Sequence, residues 1–192
     1  MDGALSKAER RELLERARAA IESAVGTPSR DIAKGSSGTS AVLETDGAAF
    51  VTLRKHGQLR GCIGQVEARG PLGAAVEAMA VAAATRDPRF SPVTVEEIPE
   101  LTVEISVLTT PEPLGHWSDA VVGTDGLIVE GVSLGAPRRA VFLPEVAEAQ
   151  GWDLPTMLSQ LCRKAGLQAT AYLSGDVRLL RFRSIHFGDA RS

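Results

Sequence analysis

Ala48-Ala49-Phe50-Val51-Thr52-Leu53-Arg54, Lys55-His56-Gly57-Gln58 and Leu59-Arg60-Gly61-Cys62-Ile63-Gly64 follow one another without a break and read as strand, turn and strand. A short glycine-containing link between two such runs predicts an antiparallel hairpin joined at His56-Gly57. Side chains alternate along a strand, so Leu59, Gly61 and Ile63 are expected on one face and Arg60, Cys62 and Gly64 on the other. Leu59 and Ile63 would then anchor the strand to a core. Arg60 would stand beside the Cys62 thiol, where a guanidinium favours the thiolate. The flanking glycines would leave room for a ligand to approach the backbone.

A plainer reading stands next to this one. Free cysteine often serves as a small buried hydrophobe, and glycine within a strand can mark a bulge or a close backbone crossing. A cysteine nucleophile also needs a base, which spacing alone does not supply.

The 192 residues are 44% hydrophobic and 23% charged, the balance of an ordinary globular protein with a sizeable core. No apolar run approaches the roughly 20 residues of a membrane span. The N-terminus has the charge pattern of a helix and lacks the apolar stretch of a signal peptide, so a cytoplasmic protein is expected. The net charge of −3 gives no electrostatic reason for a nucleic-acid or membrane partner. Cys62 and Cys162 are too far apart in sequence for a CxxC pair, and both are expected as thiols. The three histidines are scattered, with no zinc spacing, and no cofactor fingerprint occurs. Neither a metal nor a cofactor is expected.

Outward from the hairpin, a helix over 6–25 opens at Ser6-Lys7-Ala8-Glu9, which fits a capping box. Its stripe is Leu14, Ala17, Ile21 and Ala24, and a flexible loop over 27–40 leads into the body. Gly70-Pro71 opens a second helix with the stripe Leu72, Ala75, Val76, Met79 and Ala83. Arg86-Asp87-Pro88-Arg89-Phe90 ends it in a proline-stiffened turn that is either structural or a pair of arginines for an anion. Thr94-Val95-Glu96-Glu97 predicts a short capped helical turn.

Leu101 to Leu108 is the clearest strand, with Leu101, Val103, Ile105 and Val107 on one face and Thr102, Glu104 and Ser106 on the other. Glu104 is expected within reach of Arg60 or Cys62. Val121 to Val129 reads as strand, turn at Asp125-Gly126, and strand. A strand over Arg139 to Leu143 follows, then helices from Pro144 and from the Asp153 cap, the second carrying Cys162 in its buried stripe. Trp117 and Trp152 are packing residues. The end of the chain reads as strands at Thr170 to Leu173 and Val177 to Phe182, with Arg178, Arg181, Arg183 and His186 on a wet side. Hairpin turns with interspersed helices give an α+β class with largely antiparallel sheets and packed helices.

These motifs, in order, carry a resemblance. Leu59-Arg60-Gly61-Cys62-Ile63-Gly64 resembles the hallmark of the AMMECR-type domain family, whose microbial members are called AmmeMemoRadiSam system protein A. Asp87-Pro88-Arg89-Phe90, Glu104-Ile105-Ser106-Val107-Leu108, Gly126-Leu127-Ile128, Phe142-Leu143-Pro144 and Leu161-Cys162-Arg163-Lys164-Ala165-Gly166-Leu167 follow in the family's order. The resemblance implies a single domain over 1–192, built as two lobes around a cleft. It also implies association with a Memo-type protein and a radical-SAM protein. Carried over by position, its site residues are Arg60, Gly61, Cys62 and Gly64, then Asp87 and Arg89, then Glu104 and Ser106.

Two functions are expected from different classes. One is a binding component that holds a small ligand or a partner protein along the Leu59–Gly64 motif, with Cys62 as a functional thiol and Arg60, Gly61, Gly64, Asp87, Arg89 and Ser106 as binding residues. The alternative is an enzyme with Cys62 as nucleophile or covalent acceptor and Glu104 or His56 assisting proton transfer.

Overall fold

The computed structural model describes residues 5–26 and 40–189. The loop expected over 27–40 therefore lies, Ser40 apart, outside the described residues. The fold is α+β, with two antiparallel four-stranded sheets in two compact units, Met1–Thr109 with Ile185–Ser192, and Thr110–Ser184.

In the first unit, α1 (Lys7–Ala24) begins at the expected capping box: Ser6 Oγ accepts from Glu9 N at 3.3 Å, and Glu9 Oε2 accepts from Ser6 N at 2.7 Å. The buried stripe is Leu13, Ala17 and Ile21; Leu14 is only partly buried and Ala24 is exposed, which moves the expected stripe round by one residue. β1 (Ala48–Lys55) and β2 (Gln58–Gly64) form the expected hairpin. His56 and Gly57 both have positive φ, 50° and 76°, as in a type I′ turn, whose twist matches that of the strands it joins.

α2 (Leu72–Thr85) and a short 3-10 helix, Val95–Glu100, lead into β3 (Leu101–Leu108), which pairs with β1. The last strand of the chain, Ser184–Gly188, lies beyond β3 and is numbered β8, giving the order β2-β1-β3-β8. Val51, Leu53, Val103 and Ile105 pack under α1 and α2 against Leu13, Leu72 and Val76. Each such aliphatic side chain contributes about 2 kcal/mol by leaving water. Thr52, Glu104 and Ser106 have the opposite parity and lie on the face turned away from α1 and α2.

In the second unit, β4 (Glu112–Pro113), β5 (Gly126–Ser133), β6 (Ala136–Phe142) and β7 (Arg178–Phe182) form a sheet of order β4-β7-β5-β6. α3 (Pro144–Gln150), α4 (Leu154–Lys164) and the single turn α5 (Ala171–Ser174) accompany it. Leu127, Val129, Met157, Leu158, Leu161 and Cys162 are fully buried together, so Cys162 is a core residue as expected. Trp117, edge-on to Tyr172 at 5.6 Å, and Trp152 pack on the same core.

Three strand expectations are corrected here. Val121 to Thr124 is a turn, because the buried Asp125 carboxylate accepts Val121 N at 2.9 Å and folds the chain back. Thr170 to Leu173 is helical, since backbone bonds of the i→i−3 kind form there before Gly175 ends the turn at φ 77°. The strand expected over Val177 to Phe182 is β7 of the second sheet, but a further strand, β8, follows it in the first, so Arg178, Arg181, Arg183 and His186 do not share one wet strand face.

Candidate functional site around Cys62

The hairpin register skips one residue. Leu53 pairs with Gly61 and Arg54 with Leu59, so Arg60 is the extra residue of a β-bulge. The bulge changes the parity of everything before it. Leu59 shares the face of Arg54 and is 37% exposed instead of anchored, while Ile63 does pack on the core.

Arg60 turns to the helix side. Its Nε and Nη2 each reach Glu97 at 2.9 Å, and Nη1 donates to Ser91 O at 3.0 Å. Lys55, whose parity is opposite to that of Thr52, approaches the same carboxylate at 3.5 Å. The expected Arg60–Cys62 partnership is thus replaced by a bidentate ion pair on the other face.

That ion pair has a pH signature. The Arg60 guanidinium, assisted by the Thr94 N–H and by Lys55, lowers the Glu97 carboxyl to about 2. A carboxyl depressed in the folded state stabilises it above the unfolded value near 4.5 and ceases to do so as pH falls toward 2. Unfolding free energy measured between pH 6 and pH 2 should fall by about 2 kcal/mol more in the parent than in Glu97→Gln; identical pH profiles would show that the pair contributes nothing.

The motif glycines are filled from within the protein. A Cβ on Gly61 would lie 2.2 Å from the Ala83 carbonyl oxygen of α2, and one on Gly64 would lie 2.1 Å from Phe50 Cγ. The space expected for a ligand is taken by α2 backbone at one glycine and by an aromatic ring at the other.

β2 is an edge strand, and at Cys62 its outer edge is closed by the Asp87-Pro88-Arg89 turn. Cys62 N donates to Asp87 Oδ2 at 2.8 Å, and Arg89 Nη2 approaches Cys62 O at 3.5 Å. Arg89 also grips Asp87 through Nε (2.9 Å), Nη2 (2.6 Å) and its backbone N (3.1 Å). Carboxylate and guanidinium together take the place of a neighbouring strand. The Arg89 guanidinium, with the Cys62 and Arg89 N–H groups, holds the buried Asp87 carboxyl far below the usual carboxylate range. Phe90 lies under both arginines, 5.4 Å from the Arg89 and 6.0 Å from the Arg60 guanidinium carbon.

Across the face turned away from α1 and α2, Cys62 pairs with Thr52 and Thr52 with Glu104, so the three form one row. Thr52 Oγ1 donates to the Cys62 Sγ at 3.2 Å, and Cys62 is partly exposed. Glu104 lies two strands away, about 10 Å between Cα atoms, and is held by Arg54 Nε at 2.8 Å. It does not reach Arg60, which is on the other face. His56 stays at the hairpin tip, 3.0 Å from Glu100. The next row runs from Gly64 through Phe50 to Ser106, whose Oγ lies 3.1 Å from His186 Nδ1.

The structure therefore gathers Cys62, Glu104 and Ser106 on one face and places Asp87 and Arg89 at the strand edge. Thr52 and His186 were missed. Thr52 has a sequence signal, its even spacing from Phe50 and Arg54, whereas His186 joins the face only through the pairing of β8 with β3. Among the described residues, no group of three or more His, Cys, Asp or Glu side chains could hold a metal ion, and no helix is long and apolar enough to cross a membrane.

The chain is thus a two-sheet α+β protein with Cys62 on an edge strand pinned by an Asp-Pro-Arg turn. The sequence matches the AMMECR1 family over residues 14–187, and the chain belongs to that family. A protein of Methanothermobacter thermautotrophicus is 46% identical over 141 residues, covering 70% of this chain and 71% of its own. A Saccharolobus islandicus protein is 39% identical over 191 residues, covering 94% and 82%. The crystal structure of the uncharacterized protein PH0010 from Pyrococcus horikoshii superimposes with a TM-score of 0.85 at 32% identity, over 97% of this chain and 94% of that one.

Proposed function

We propose that this chain is the binding component of a cytoplasmic system with Memo-type and radical-SAM partners, and that it holds a small ligand or a partner protein around Cys62, on the face turned away from α1 and α2. The observation that carries this reading is the Cys62 thiol itself. Its backbone is fixed on the outer edge by Asp87 and Arg89, its sulfur accepts a hydrogen bond from Thr52, and the residue is partly exposed. Such a fixed, accessible thiol suits recognition of a ligand or acceptance of an electrophile. The residues expected to move protons for a nucleophile are committed elsewhere, Glu104 to Arg54 and His56 to Glu100, which favours binding over turnover.

Iodoacetamide labelling of the native protein, read by peptide mass spectrometry, tests this. Cys62 should react at least tenfold faster than Cys162, which is fully buried and whose thiol is pushed up by burial. Thr52→Val should change the Cys62 rate about fivefold, the worth of one hydrogen bond of about 1 kcal/mol. Equal protection of both cysteines would refute the accessible thiol. Complex formation with the purified partners is expected to survive Cys62→Ser.

A further inference from the structure

A groove of about 410 Å³ runs along the first unit between the opening turns of α1 and the end of β8. Lys7, Arg10, Arg11, Leu14 and Arg18 recur at helical spacing along its helix wall, with Phe187, Gly188 and Asp189 opposite. Four cations face two carboxylates, Glu15 and Asp189, on a chain whose net charge is −3.

The cations are not equally engaged. Arg18 is paired with Asp189 and donates to Leu101 O at 3.1 Å. Arg10 spends Nε on Leu5 O at 3.0 Å and lies 5.8 Å from the Phe187 ring centre, and among the described residues its terminal nitrogens meet no acceptor. Among the described residues Arg11 meets only Glu15, at 3.5 Å between side chains 78% and 62% exposed, a contact worth little. Lys7 has no partner among the described residues. β8 is also the outer strand of its sheet, so among the described residues its outer backbone groups face no further strand.

We propose that an extended acidic peptide segment of a partner protein docks here by adding a strand to β8. Main-chain hydrogen bonds to the edge would supply affinity, and alternate side chains would supply specificity. The side chains turned toward α1 would be carboxylates meeting Lys7, Arg10 and Arg11 over the apolar floor of Leu14 and Phe187. β8 is five residues long, which suits a segment of about 17 Å. A second copy of this chain fits poorly, because edge-to-edge pairing would bring two stripes with an excess of cations together.

The probe is a fluorescein-labelled Glu-Val-Glu-Val-Glu-Val peptide, titrated against the full chain by anisotropy at low salt. Saturable binding is expected, with no binding of the Lys-Val counterpart. Arg10→Glu and Arg11→Glu should each weaken it about tenfold, while Cys62→Ala should leave it unchanged, which separates this surface from the one proposed above. Two peptides N-methylated on alternate amides, in opposite phases, test the strand itself: one phase should lose binding and the other keep it, because a one-residue slip would turn the carboxylates to the wrong face. Equal behaviour of the two phases, indifference to charge reversal, or no binding of the acidic peptide would overturn the proposal.

Discussion

Asp87→Ala, in the turn that closes the edge of β2, should lower the unfolding free energy by about 3 kcal/mol. Asp87 is 4% exposed and answers three donors at once, the Cys62 N–H, the Arg89 N–H and the Arg89 guanidinium. Removing the carboxylate leaves the Cys62 N–H of an edge strand without its acceptor and frees a cation beside it. The loss stays near the lower end for a broken buried pair because the Arg89 side chain is 54% exposed and can be hydrated. Asp87→Asn keeps one acceptor oxygen and should cost roughly half as much. Urea unfolding of the three proteins measures this, with iodoacetamide labelling of Cys62 as a local readout. A loss below 1 kcal/mol for Asp87→Ala would mean that the turn does not hold β2 in place.

Gly61→Ala should be of similar severity, at about 3 kcal/mol, for a different reason. Its Cβ would be driven to 2.2 Å from the Ala83 carbonyl oxygen, and that oxygen belongs to helix backbone. Either α2 moves off the sheet or the bulge at Arg60 is lost. At Gly64 the obstacle is the half-buried Phe50 ring, a side chain and not helix backbone, so Gly64→Ala should cost less, at about 1 kcal/mol. The ordering is the informative part. Equal effects at the two glycines would show that α2 is not packed on β2 as closely as the structure places it.

These two predictions shift meaning between the halves of the motif. The glycines and Arg60 of Leu59–Gly64 build a bulged edge strand and tie it to α2 and to the Val95–Glu100 helix, while Cys62 is the member left to face outward with Thr52. The Asp87-Pro88-Arg89-Phe90 turn belongs to the same device, since it closes the edge opposite Cys62.

What the sequence determined by itself was whatever depends on neighbours a few residues apart. Ser6 and Glu9 specify a helix start because the two donors they satisfy lie within one turn. His56-Gly57 specifies a hairpin because the turn needs positive φ at both positions. The alternation in Leu101 to Leu108 separates a buried face from a polar one, and Cys162 sits in an apolar helical stripe, so both were legible. The ordered motifs carried the family.

Tertiary structure alone decided the rest. Period-two reasoning puts Arg60 beside Cys62, but one inserted residue reverses that parity, and the insertion is visible only against β1. The pairing of Arg60 with Glu97, 37 residues away, and of Cys62 N with Asp87, 25 away, depends on where α2 returns the chain. The placement of β8 in the first sheet, directly after β7 in the second, has the same origin. A β-strand's face and edge are defined by its neighbours, and those neighbours come from distant parts of the chain, so no local pattern encodes them.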